Sequence, residues 1–221
     1  MELVRTYVEG LDETLGGLPA QSVVMVTGEP GSGHDLLAQQ ILYLHALKGG
    51  KGSKSVYFST FKSDDVVREN LANYGWKIEN LENNKQWEFV DLRSKNCRQA
   101  LSRKISSKIR KGSWTLIDSF SHLLMRQQTK QAFSLIERLL ETSRKFGGVH
   151  FLIFTKRMHD PQMETTMQEF VDGVLEIVMQ EVGGGISRRI KIKKLKAVHV
   201  TRLIPFALTL QGITVETAVR I

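Results

Sequence analysis

The sequence predicts an α/β protein: a mainly parallel sheet with helices on both faces, finished by a C-terminal antiparallel hairpin. Three observations carry this. Short apolar, β-branched runs alternate with stretches of helical period from Val23 to Phe154, one run empties into a glycine-rich loop, and past Asp172 the order changes to strand, turn and strand. Strands separated by helices pair in parallel through right-handed crossovers, which cover the sheet on both sides. The 221 residues contain no long linker, repeat or low-complexity segment, so one domain over residues 1–221 is expected.

Val23 to Thr27 reads as a buried strand that enters the tight loop Gly28-Glu29-Pro30-Gly31-Ser32-Gly33. From Asp35 to Leu47 apolar and uncharged residues occupy nearly the full circumference, so the helix there is expected to be sandwiched. Val56 to Ser59 is the second strand. A helix over Asp64 to Asn73 follows, its paired acids suited to a helix N-terminus. Trp87 to Val90 is the third strand. Leu101, Ile105 and Ile109 then form one apolar stripe on a helix whose other sides are basic. Trp114 to Ile117 is the fourth strand, ending at Asp118-Ser119. Ala132, Leu135, Ile136, Leu139 and Leu140 mark a further helix closed by Gly147-Gly148, and Val149 to Phe154 is the fifth strand. Val174 to Met179 and Ser187 to Lys196, joined by Gly183-Gly184-Gly185, form a hairpin expected at the sheet's edge. Strict alternation there places Arg189, Lys191 and Lys193 on one face, and Ile190, Ile192, Lys194 and Lys196 on the other.

Composition excludes several classes. A hydrophobic fraction of 41% with 18 glycines and 4 prolines rules out a disordered or collagen-like chain. The longest apolar runs are a fraction of the ~20 residues that cross a bilayer, so no membrane partner is expected. The N-terminus shows no secretory pattern and Cys97 is the single cysteine, which points to a reducing cytoplasm. The 31 basic residues exceed 23 acids, a net charge of +8 that invites a polyanion. The excess is local: Arg93, Lys95, Arg98, Arg103, Lys104, Lys108, Arg110 and Lys111 share an acid-free segment. A second cluster runs from Arg188 to Lys196. Solvated surface and a nucleic-acid contact through Arg103, Lys104, Lys108 and Arg110 both fit the first cluster. The remaining histidines lack metal-ligand spacing, and the three tryptophans read as core or rim.

The loop between the first strand and its helix is the strongest chemical signal. A G-x-x-x-x-G-K-[ST] loop works because glycines let backbone N–H groups curl around phosphate oxygens at a helix N-terminus, while the Lys adds charge and the hydroxyl binds Mg²⁺. Here Gly28 to Gly33 supplies the loop, and the next residues are His34 and Asp35. With a later apolar strand ending in Asp118, the pattern predicts a P-loop-type fold. His34 reads either as a locally hydrogen-bonded or exposed histidine or as a phosphate contact. Asp35 reads either as a first-turn acid favouring the helix macrodipole or as a metal ligand beside Asp118.

Gly10-Leu11-Asp12-Glu13-Thr14-Leu15-Gly16-Gly17, the loop Gly28 to Gly33, Leu116-Ile117-Asp118-Ser119 and Val171-Asp172-Gly173-Val174-Leu175-Glu176 together resemble the KaiC-like branch of the RecA superfamily. The resemblance implies that the loop holds ATP, that Asp118 helps place Mg²⁺, and that a glutamate pair after the second strand activates water. It also implies a Lys-x-Arg pair on the C-terminal hairpin reaching the γ-phosphate of a neighbouring subunit in a ring. On this basis the candidate nucleotide-binding residues are Gly28, Gly31, Ser32, Gly33, His34, Asp35, Lys194 and Lys196, and the candidate metal ligand is Asp118.

The chain departs from that pattern at its chemical positions. Phe61-Lys62 stands where two glutamates would, so no residue is assigned as catalytic. Lys194-Leu195-Lys196 keeps charge but loses the forked guanidinium, which as an arginine finger is worth about 10³ to 10⁵ in rate. A carboxylate about 4 Å from a phosphate charge costs on the order of 4 kcal/mol at an effective dielectric of 20, roughly a thousandfold in affinity. The expectation is a protein with a degenerate phosphate loop that does not hydrolyse ATP efficiently and acts as a regulatory or protein-interaction module, with a protein partner or as a homo-oligomer. An ATP-binding or slow ATPase with ATP and Mg as cofactors, and a DNA-binding recombinase paralogue, are the alternatives.

Overall fold

The computed structural model of the chain describes residues 2–94, 96, 100–126, 129–196 and 203–216; Lys95, Cys97, Arg98 and His199 lie outside the described residues. The described elements run β1 (Leu3–Val4), α1 (Leu11–Leu15), β2 (Leu18–Pro19), β3 (Gln21–Gly28), α2 (His34–Lys48), β4 (Lys54–Ser59), α3 (Asp64–Ala72), α4 (Ile78–Asn83), β5 (Trp87–Asp91), α5 (Leu101–Arg110), β6 (Ser113–Asp118), α6 (Phe120–Met125), α7 (Thr129–Phe146), β7 (Gly148–Thr155), α8 (Pro161–Phe170), β8 (Gly173–Val182), β9 (Gly185–Leu195), β10 (Ile204–Thr209) and β11 (Gly212–Val215). Nine strands form one sheet in the order β11-β10-β9-β8-β3-β7-β6-β4-β5, and β1 pairs with β2 separately. From β8 to β5 neighbours are parallel; from β8 to β11 they are antiparallel.

Alternation along the central strand builds two cores. Val24 and Val26 of β3 face α2 together with Tyr57, Leu116 and Phe151, while Val23 and Met25 face α5 and α7 with Phe58, Ile117 and Leu152. The apolar stripe Leu101, Ile105 and Ile109 packs into the second core, as its helical spacing requires. Helix α2 is sandwiched as its uncharged circumference predicts. Its Gln40 amide donates to Ile213 O at 2.9 Å and accepts from Ile213 N at 2.6 Å, tying α2 to β11.

Two expectations about the hairpin are corrected. β8 and β9 do not lie at the sheet's edge, because β10 and β11 extend the sheet beyond β9. Strict alternation also fails: the pairing shifts between Val174 and Leu175, opposite Lys194 and Ile192, so Lys193 is an extra residue. The bulge turns buried Leu195 inward and leaves Lys194 and Lys196 exposed instead of sharing the inner face with Ile190 and Ile192.

The glycine-rich segment around Asp12 has a structural role. Its carboxylate accepts from Thr6 N at 2.8 Å, Thr6 Oγ1 at 2.7 Å and Tyr7 N at 2.9 Å, clamping the turn into α1. At Gly17, φ is +120° and a Cβ would meet Val4 O at 2.6 Å, so only glycine fits beside β1. Asp172 is likewise structural: its carboxylate accepts from Val23 N at 3.0 Å, joining the start of β8 to β3.

Candidate functional site

The C-terminal ends of β3, β4, β6 and β7 converge on one rim of the sheet, where open parallel sheets bind ligands. The loop Gly28 to Gly33 fills the centre of this rim. Gly31 and Gly33 have φ of +79° and +89°, and a Cβ on Gly28 would lie 2.3 Å from Ser32 Oγ and 3.0 Å from His34 Cβ. The glycines therefore permit both the curl of the loop and its close packing.

His34, first residue of α2, turns into the protein. It is 5% exposed, its Nδ1 lies 3.0 Å from Ser32 Oγ, and its Nε2 is buried without a hydrogen-bond partner. Burial holds its pKa below the ordinary value against the opposing pull of Asp35 and Asp118, so at neutral pH the ring is uncharged. Asp35, in the first turn of α2, is half-buried on the rim.

Asp118 ends β6. The Tyr57 hydroxyl donates a short hydrogen bond to its Oδ2, and Gln39 Nε2 donates to the same oxygen at 3.1 Å. Loss of water pushes this carboxyl up, and Asp35 pushes the same way; the Tyr57 bond, Lys62 and Gln39 oppose them.

Two cavities meet at the loop. One, of about 320 Å³, lies under α3 and β10 and is lined by Gly31, Gly33, Asp35, Tyr57, Lys62 and Leu208. The other, of about 310 Å³, is lined by His34, Asp35, Lys62, Asp118, Ser119 and His122 among others. Asp35 and Lys62 line both. The glycine loop and Asp118 thus border the same space, with an aspartate and a lysine beside them. Phe61, the neighbour of Lys62, stacks on His122 with ring centres 4.4 Å apart.

Lys194 and Lys196 are not brought to this site within the chain. Leu195 pairs with Gly173, and Gly173 with Val24, four residues or about 13 Å along β3 from Gly28. Lys194 Nζ donates instead to Glu169 O at 2.8 Å. The β9 side chain that does reach the loop is Arg188, at the other end of the strand, whose Nη2 lies 3.4 Å from Gly31 O and whose Nε is buried without a partner. Arg157 pairs with Glu29 at 3.2 Å, and Lys156 with the buried Glu176. Sequence reasoning placed Lys62 at the position of the absent glutamates but missed Arg188, Tyr57 and Gln39 as members of the site. Strand register is the signal for Arg188, since the first residues of an antiparallel β9 must lie at the rim where β3 ends.

Arg103, Lys104, Lys108 and Arg110 sit on α5, which packs with α7 on the sheet face opposite α2. Trp76, Trp87 and Trp114 are buried. Among the described residues no group of three His, Cys, Asp or Glu forms a metal cluster, and no helix is long and apolar enough to cross a membrane.

Comparison with known proteins agrees with this geometry. The profile of the KaiC ATPase family matches residues 4–219. The circadian clock oscillator protein KaiC of a Picosynechococcus strain is 29% identical over 97% of this chain, which spans 44% of that protein. A UPF0273 protein of Saccharolobus solfataricus is 25% identical, with 98% of this chain and 83% of the relative covered. In solved structures, a KaiC-like protein from Pyrococcus horikoshii superposes with a TM-score of 0.81 at 22% identity, covering 98% of this chain and 99% of that one.

Proposed function

The chain belongs to the KaiC ATPase family, and from that premise we propose that it keeps the nucleotide-binding architecture without efficient ATP hydrolysis and acts through protein contacts, as a regulatory module in the cytoplasm. The observation that carries the proposal is Lys62. It stands where the family pattern places a water-activating carboxylate, and it lines both cavities beside Asp35 and one of them beside Asp118. An ammonium cannot take a proton from water at neutral pH. The groups around the loop also suit Mg·ATP poorly. The neutral, inward-turned His34 supplies no charge to a phosphate, Asp35 adds a repelling one, and neither offers the hydroxyl that would hold Mg²⁺.

Contact through the rim has support of its own. Val182 and Ile186 at the β8–β9 turn and Leu208 and Leu210 at the β10–β11 turn are exposed apolar residues, Leu210 at 88%. Leu208 reaches the loop: a Cβ on Gly33 would lie 3.2 Å from its Cδ2. A second copy of the chain or a protein partner is the proposed occupant of this surface.

The test is ATP binding and turnover with and without Mg²⁺. The proposal expects phosphate release at the buffer rate and no thermal stabilisation by millimolar Mg·ATP, since a ligand bound only by the folded state raises stability by RT ln(1 + [L]/Kd). In the variant His34→Lys/Asp35→Thr, removing the repelling carboxylate is expected to strengthen ATP binding by about a thousandfold. Tight Mg·ATP binding by the native chain supports the slow-ATPase reading instead.

A further inference from the structure

The basic residues of α5 border two clefts, one on each side of the helix. Lys108 turns toward β5 and forms an ion pair with Glu88. Arg103, which also borders the β5 side beside Lys108, joins Arg110, Lys111 and, from α7, Arg138 around an open cleft of about 350 Å³ lined by Ser106 and Ser107. No carboxylate lines this cleft, and none of its four cations forms an ion pair among the described residues. All four are exposed. It lies between two helices that cover the face opposite α2, away from the phosphate loop.

We propose that the α5–α7 cleft formed by Arg103, Arg110, Lys111 and Arg138 binds the phosphodiester backbone of a nucleic acid, independently of the loop site. Like charges converging on one concave surface repel one another and destabilise the fold unless an anion meets them. Helix-terminus electrostatics account for part of the set only. Arg110 and Lys111 suit the negative C-terminal end of α5, but Arg103 stands in its first turn, which holds no acid and where the macrodipole disfavours a cation. Arg103 thus departs from a local rule, and Arg138, from the middle of α7, adds a further cation to the same cleft; together they point to a ligand.

The spacing selects the ligand class. Arg103 and Arg110 lie on one side of α5 at i and i+7, about 10 Å apart along the axis, too far to share one phosphate. About 10 Å of duplex carries about six phosphate charges. Three guanidiniums with two serine hydroxyls match phosphate oxygens in geometry as well as charge. None of these groups is placed to read a base edge, so binding is expected to be independent of sequence.

The test is fluorescence anisotropy of a labelled DNA duplex across a salt series, comparing the native chain, Arg110→Gln/Arg138→Gln, and Lys191→Gln in the other basic cluster as a control. The expected result is binding by the native chain with a salt slope that falls by about two in the cleft variant and is unchanged in the control. Unaltered melting of the variants establishes that the fold is retained. An equal slope in the native chain and the cleft variant, or an equal loss in Lys191→Gln, would each overturn the assignment.

Discussion

At the residue scale, the same ring carries different chemistry in different surroundings. His150 is fully buried, with Nε2 3.2 Å from Gly147 O and Nδ1 3.0 Å from Thr115 Oγ1, so the neutral form satisfies both nitrogens. His45 stacks on Trp114 at 3.9 Å; because Ser55 Oγ gives its proton to Leu42 O, the His45 Nδ1 proton is donated to Ser55. Burial lowers each pKa to about 4. Both lie below the unfolded value, so between about pH 6.5 and about pH 4 the unfolded state binds more protons and stability falls as pH is lowered. The loss is on the order of 3 kcal/mol for each ring, offset in part by Asp118, whose raised pKa acts in the opposite sense. Urea midpoints at neutral and mildly acid pH check this; a midpoint that rises on acidification would contradict it. Tyr57→Phe removes a donor from the Asp118 carboxylate, and a stability loss of about 1–3 kcal/mol at neutral pH is expected from the same denaturation measurement.

At the scale of elements, the phosphate loop and α2 form one packed unit. Gly28→Ala would push a methyl group into Ser32 Oγ and His34 Cβ. The expected cost is about 1–3 kcal/mol, read as a lowered melting temperature, and an unchanged one would mean that the loop is not packed as described. The parallel half of the sheet was legible from sequence because its strands are apolar runs of a type that only burial on both faces explains, as at Val23 to Thr27. β10 and β11 were not. Ile204–Thr209 contains Pro205, and Gly212–Val215 is four residues long, so neither shows a clear period. The bulge at Lys193 was hidden for a related reason: alternation says which residues share a face only while register is unbroken. Within the site, the loop and the end of β6 were readable as motifs, whereas Tyr57, Gln39 and Arg188 are joined to them by tertiary contact alone.

At the scale of the whole molecule, two surfaces stand apart. The rim that holds the loop carries exposed Val182, Ile186, Leu208 and Leu210, while the α5–α7 face carries the cations of the cleft, with Arg110 over the ring of Phe146. If the rim is the contact surface of the protein, Leu208→Asp/Leu210→Asp is expected to shift light-scattering mass toward the monomer without loss of folding; an unchanged mass would place the contact elsewhere. Lys194 and Lys196 are exposed at the opposite end of β9 from their own loop, so only assembly with another copy would bring them to a phosphate loop.

The central claim is that a KaiC-family fold here carries a site whose charges no longer support hydrolysis. It is tested most directly by phosphate release from Mg·ATP by the native chain beside Asp118→Ala. The account predicts the same background rate for both. Magnesium-dependent turnover by the native chain that disappears in Asp118→Ala would contradict it.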